Sequence, residues 1–133
     1  MRFVDKHKQL IIWSITILYM LFIFILSSIP QPPQPFRNPY LPIIEHIIEF
    51  SILSILLSCS ISPTYKYKNR REVFIMAFVI TTLYGLSDEI HQSFVLGRTC
   101  SIEDFIFDMV GAFIGSLIQS NSDSIPFRIP PHI

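Results

Sequence analysis

Charge is scarce in this chain: only 15% of its 133 residues are Asp, Glu, Lys or Arg, and the two signs cancel to a formal net charge of zero. Cysteine is scarcer still, with Cys59 and Cys100 alone, and their separation fits no metal-ligand spacing. There is no phosphate-binding loop and no GxGxxG turn, so the backbone cradles that hold nucleotides are missing. Basic residues nowhere form a patch dense enough to neutralise a nucleic-acid backbone, so nucleic acid is not an expected partner. No internal repeat is evident.

Apolar sequence fills the space that charge leaves. Hydrophobic residues make up 50% of the chain and aromatics 14%, with a mean hydropathy of +0.49. A soluble domain of this length could not cover so much apolar surface. The length suits one compact unit rather than two ordinary domains. Leu10 to Ile29 (LIIWSITILYMLFIFILSSI) carries no charge; at about 1.5 Å per residue it spans roughly 30 Å, the thickness of a bilayer's hydrocarbon core. It follows a basic start, as a cleaved signal peptide would. However, it exceeds a typical h-region and lacks an A-x-A site, which favours a retained transmembrane helix.

Prolines at 32, 33, 35, 39 and 42 then break the chain into a loop. A second apolar stretch covers about 43–61, a third 73–93 and a fourth 101–119, separated by the basic segment around Lys66–Arg71 and by a turn at Gly97-Arg98. The last two carry polar turns and span only if those turns face other helices. The expected fold is all-α, an integral membrane four-helix bundle forming a single domain over 1–133. The alternative is a soluble helical protein with one anchor.

Lysine and arginine counts orient the bundle. Arg2, Lys6, Lys8, Lys66, Lys68, Arg70 and Arg71 lie on one side and only Arg37 and Arg98 on the other. Both ends of the chain are therefore expected in the cytoplasm, with the proline-rich loop and the Gly97-Arg98 turn outside. Cys59 and Cys100 then lie near opposite faces, too far apart for a disulfide.

This topology gathers polar groups at the outer end. Ser27-Ser28 close the first helix; Glu45, His46 and Glu49 open the second; Asp88, Glu89, His91 and Gln92 close the third; Glu103, Asp104 and Asp108 open the fourth. His46 and Glu49 share a face, as do Asp88 and Gln92, while Glu89 points roughly 100° away from Asp88. Asp104, Asp108, Gly111 and Gly115 form one stripe. Its two glycines allow a neighbouring backbone close, which turns both aspartates inward. The candidate site is thus His46, Glu49, Asp88, Glu89, Gln92, Arg98, Asp104 and Asp108, with Gly111 and Gly115 for helix packing.

Charge in hydrocarbon costs at least a few kcal/mol per group unless paired or hydrated. Protonation of some carboxylates, pairing with Arg98, or a held cation would each relieve it. The residue pattern alone assigns no metal and no cofactor. The network also fits a purely structural role of locking helix register. His91, Glu45 and Glu103 fit plain interfacial positions. A histidine base oriented by Glu49 or Asp88 would suit an enzyme, but no serine or cysteine is placed as a nucleophile.

The stretch Tyr84-Gly-Leu-Ser-Asp88-Glu89-Ile-His-Gln92-Ser-Phe94-Val-Leu-Gly97-Arg98-Thr-Cys-Ser101-Ile-Glu-Asp104-Phe-Ile-Phe-Asp108-Met-Val-Gly111-Ala-Phe-Ile-Gly115 resembles the signature of VanZ-like membrane proteins. That signature reads D-E-x-x-Q-x-F-x-x-x-R-x-x-S-x-x-D-x-x-x-[DN]-x-x-G-x-x-x-G. Ser27-Ser28 and His46-x-x-Glu49-Phe50 fit its upstream half. One departure is Ile43, where the family often has a lysine; its loss leaves this site more acidic. The resemblance implies a multi-pass cell-membrane protein of a family named for low-level resistance to the glycopeptide teicoplanin, a phenotype rather than a reaction.

Three functions follow as expectations. The first is an envelope protein whose polar outer-leaflet pocket binds an amphiphilic, cell-wall-related or glycopeptide-related ligand among membrane lipid. The second is a membrane enzyme acting on a lipid-linked substrate through His46 and acidic residues. The third is a structural or regulatory partner of another membrane protein through the Gly111/Gly115 stripe. Oligomeric state is not specified by the sequence.

Overall fold

The computed structural model describes residues 3–31, 38–64 and 69–122. Four helices follow one another: α1 (Phe3–Ser28), α2 (Leu41–Thr64), α3 (Arg70–Gln92) and α4 (Ile102–Asn121). Arg2, Arg37, Lys66, Lys68, most of the proline-rich loop and the IPFRIPPHI tail lie outside the described residues. The charge comparison across the two sides therefore stands on sequence.

The all-α expectation holds, and the helices overrun their apolar runs. Hydropathy marks only the part of a helix suited to hydrocarbon, whereas α1 continues back through Lys8 and Lys6, which are good helix formers. α2 begins before Pro42. A proline is tolerated in a first turn, where its missing N–H has no intrahelical acceptor to lose. Asn69 caps α3 by accepting the Glu72 amide at 2.9 Å, and Ser101 caps α4 by accepting the Asp104 amide at 3.2 Å.

α1, α2 and α3 are long and apolar enough to cross a membrane. α4 is 20 residues long and carries Glu103, Asp104 and Asp108, so composition alone does not mark it as a span. It packs most extensively on α2 and next on α3; α1 lies against α2 and touches α3, and α1 and α4 do not meet. The outward faces present Ile17, Leu18, Phe22, Ile48, Leu83, Ile106 and Ile118, as lipid contact requires.

The apolar core holds Ile23, Phe50, Leu53, Leu57, Ile61, Val73 and Ala77. Small residues close the rest. A Cβ added at Gly111 would stand 2.5 Å from the Ile47 carbonyl oxygen, and one at Gly115 would run into that of Ser51. α2 and α4 therefore meet backbone to backbone, as small-residue stripes allow. Ser51 and Ser54 donate across this seam to the carbonyls of Gly111 (3.0 Å) and Ala112 (2.8 Å). Thr16 and Ser60 tie α1 to α2 at 2.8 Å, and Tyr84 ties α3 to α1 by donating to the Met20 carbonyl at 2.6 Å.

Candidate functional site

The end of the bundle where α1 and α3 stop and α2 and α4 start collects the polar side chains. The glycine stripe fixes α4 against α2, so Asp108, one turn before Gly111, enters the interior with 0% exposure. There its Oδ1 meets His46 Nδ1 at 2.7 Å. Gly85 on α3 makes room from the other side: a Cβ there would stand 3.1 Å from Asp108 Oδ2. Asp108 thus sits between α2 and α3, one oxygen on histidine and the other turned toward α3.

α3 supplies three buried polar groups within its last turns. Asp88 and Gln92 are each 5% exposed. One helical turn apart, they bond to each other, Gln92 Nε2 donating to Asp88 Oδ2 at 2.8 Å. Glu89, 1% exposed, is the most enclosed carboxylate of α3. Its Oε2 accepts the backbone amide of Ser101 at 2.9 Å, so the residue that caps α4 also anchors α3. The angular offset of Glu89 from Asp88 is real. It does not expose Glu89, because α3 packs against α4, α2 and α1 rather than one neighbour.

Glu49 and Asp104 are half-buried on the flanks of this group. Glu49 is within electrostatic reach of His46, Asp88 and Asp108, and Asp104 of His46 and Glu89. Glu45 and Glu103 are exposed at the helix starts.

Of the three ways of relieving the buried charge, pairing with Arg98 is not the one the structure shows. Its Nη2 donates to the Leu26 carbonyl at 2.7 Å and its Nε to the Ile29 carbonyl at 3.0 Å. The guanidinium adds charged donors to carbonyls at and just beyond the end of α1, where the helix dipole favours a cation. Gly97 enables the turn, with φ 78° and a surface that a Cβ would drive into the Gln31 carbonyl. His91 is also engaged: its Nε2 lies 2.9 Å from Ser28 Oγ, and its ring lies 4.4 Å from that of Phe24.

Among the described residues, neither Lys nor Arg pairs with Asp88, Glu89 or Asp108. Two of their oxygens, Glu89 Oε1 and Asp108 Oδ2, are buried without a hydrogen-bond partner. One donor atom from each of His46, Glu89 and Asp108 falls within 4.8 Å of the others. Chemically, the cluster can accept hydrogen bonds, orient an imidazole and offer mixed nitrogen and oxygen ligands.

Sequence reasoning missed three contributors. Gly85 and Ser101 set the positions of Asp108 and Glu89, and the Ser101-Ile-Glu-Asp104 capping pattern was the available signal for the second. Ser28 was placed at the polar end and in the family pattern, but its contact with His91 was not foreseen.

A family model for VanZ/LLP1 matches residues 10–122, from the first apolar run through the end of α4. The chain belongs to the VanZ/LLP1 family. Neither a curated protein nor a solved structure matches it. The matched span contains the whole polar end of this VanZ/LLP1 protein: His46 and Glu49, the Asp88–Gln92 turn, Arg98, and the Asp104–Gly115 stripe.

Proposed function

We propose that this VanZ/LLP1 protein resides in the cell membrane with both ends cytoplasmic. Its polar end binds the head group of an amphiphilic or cell-wall-related ligand in the outer leaflet, lowering susceptibility to teicoplanin-type glycopeptides. The observation that carries this reading is convergence. Three helices that start or stop at the same level bring His46, Asp88, Glu89, Gln92 and Asp108 together, and among the described residues no Lys or Arg pairs with these carboxylates. An acidic, acceptor-rich group suits a ligand that offers hydroxyl, amine or amide donors.

The 2.7 Å bond between His46 Nδ1 and Asp108 favours a second reading, an enzyme acting on a lipid-linked substrate. A carboxylate that fixes one ring nitrogen leaves the other to take a proton. One experiment addresses both readings. Asp88→Asn and Gln92→Ala, expressed at normal level, are expected to return teicoplanin susceptibility to that of cells lacking the protein, while Glu103→Gln keeps the full effect. Full protection by both site variants overturns the binding reading. A lipid-linked profile that changes on deletion, and changes the same way with His46→Gln, selects the enzyme; an unchanged profile eliminates it.

A further inference from the structure

The buried carboxylates leave a specific chemical problem. Glu89 and Asp108, 1% and 0% exposed, each hold one oxygen by a hydrogen bond, to the Ser101 amide and to His46 respectively. Among the described residues, their other oxygens, Glu89 Oε1 and Asp108 Oδ2, have no hydrogen-bond partner. An unpaired charged oxygen inside a protein is costly, and such groups are normally paired or coordinate metals.

The two carboxylates come together beside α3. Asp108 Oδ2 faces α3 at Gly85, where a Cβ would stand only 3.1 Å from it. Gly85 and Glu89 are four apart on α3 and share a face. The same oxygen is thus aimed along the surface that carries Glu89. His46 completes the set, with donor atoms of all three residues within 4.8 Å of one another. Ligand atoms on opposite sides of one ion lie about 4–4.4 Å apart, from bond lengths of roughly 2.0–2.2 Å. Small rotations of these side chains therefore close the shell.

We propose that His46, Glu89 and Asp108 bind one divalent cation of the first transition row. One imidazole with two carboxylates suits Mn²⁺, Fe²⁺ or Zn²⁺ better than an all-oxygen ion such as Ca²⁺. Two carboxylates and a dication sum to zero charge, which removes the main penalty of placing either in hydrocarbon. The Ser101 amide, bonded to Glu89 Oε2, orients the ligand carboxylate from behind, as outer-shell partners do in metal sites. The ion site stands whether or not an amphiphile binds beside it.

The test uses the full chain in detergent, stripped with a chelator and titrated separately with Mn²⁺ and Zn²⁺. Saturation at one ion per chain is expected, with bound Mn²⁺ showing pulsed-EPR coupling to the nitrogen of a single histidine. Glu89→Gln and Asp108→Asn should weaken binding at least tenfold, and Glu103→Gln, exposed at the same end, should stay within twofold of the original. Absence of saturable binding by either ion, absence of nitrogen coupling in bound Mn²⁺, or undiminished affinity in a folded Glu89→Gln protein each overturns the assignment. The nitrogen coupling is read on the unsubstituted chain, so it decides the matter even if a variant fails to fold.

Discussion

Arg98 ties the α3–α4 turn to the end of α1 through two carbonyls, at 2.7 Å and 3.0 Å, and this makes its contribution one of stability. Hydrogen bonds with a charged donor contribute about 1.5–3 kcal/mol when enclosed, less where solvent reaches them. Arg98→Ala is expected to lower stability by about 1–2 kcal/mol, seen as a reduced thermal midpoint in detergent, and Arg98→Lys to recover part of it. Unchanged stability with lost teicoplanin protection would instead put the guanidinium in ligand binding. The acidic residues around it were legible in the sequence because polar groups stand out inside apolar runs, and the glycine stripe indicated that Asp108 turns inward. The partner of Arg98 was not legible, because carbonyls at a helix end leave no mark in the side-chain sequence. Glu89 was legible as a candidate, but its full enclosure was not: helical spacing gives the angle between two residues but not how many neighbours surround the helix.

At the scale of the element, the seam between α2 and α4 holds the site in place. Interhelical hydrogen bonds within a bilayer contribute about 0.6 kcal/mol each on average, so the Ser51 and Ser54 bonds alone do not explain so close a fit. Backbone contact at Gly111 and Gly115 does, since both would drive a Cβ at a carbonyl oxygen of α2. Gly111→Ala and Gly115→Ala should each destabilise by about 2 kcal/mol, in the range of overpacking effects. Gly85→Ala should cost less, because a Cβ there meets the side chains of Asp108 and Phe50 at 3.1 Å, and side chains can shift. Thermal midpoints of the three variants in one detergent check the order; Gly85→Ala as the most damaging would contradict it. The stripe was readable as a packing surface. Its occupant, α2 of the same chain, was not, and with α2 seated there the stripe is not free to receive another membrane protein.

At the scale of the whole molecule, the number of helices was legible because each apolar run is helix-length, while α4 lies at the limit of that signal. Its three carboxylates lower its hydropathy. A span of that kind stands only when its charges are covered by other helices or lie at its end; Asp108 is fully enclosed by the packing of α4 on α2 and α3, while the half-buried Asp104 and exposed Glu103 lie in the first turn. On the four-crossing topology proposed above, the two ends of the chain share a side, and the excess of Lys and Arg before α1 and between α2 and α3 supports the proposal that this side is the cytoplasm. The two cysteines report on this directly, because both are free thiols: Cys100 is exposed in the α3–α4 turn, and Cys59 is half-buried toward the other end of α2. A membrane-impermeant maleimide added to intact cells with an accessible outer face should label Cys100 and leave Cys59 unmodified until the membrane is opened. Cys100→Ser should abolish the labelling of intact cells. Protection of Cys100 until permeabilisation would invert the bundle and place the polar end in the cytoplasm, and the outer-leaflet ligand would fall with it.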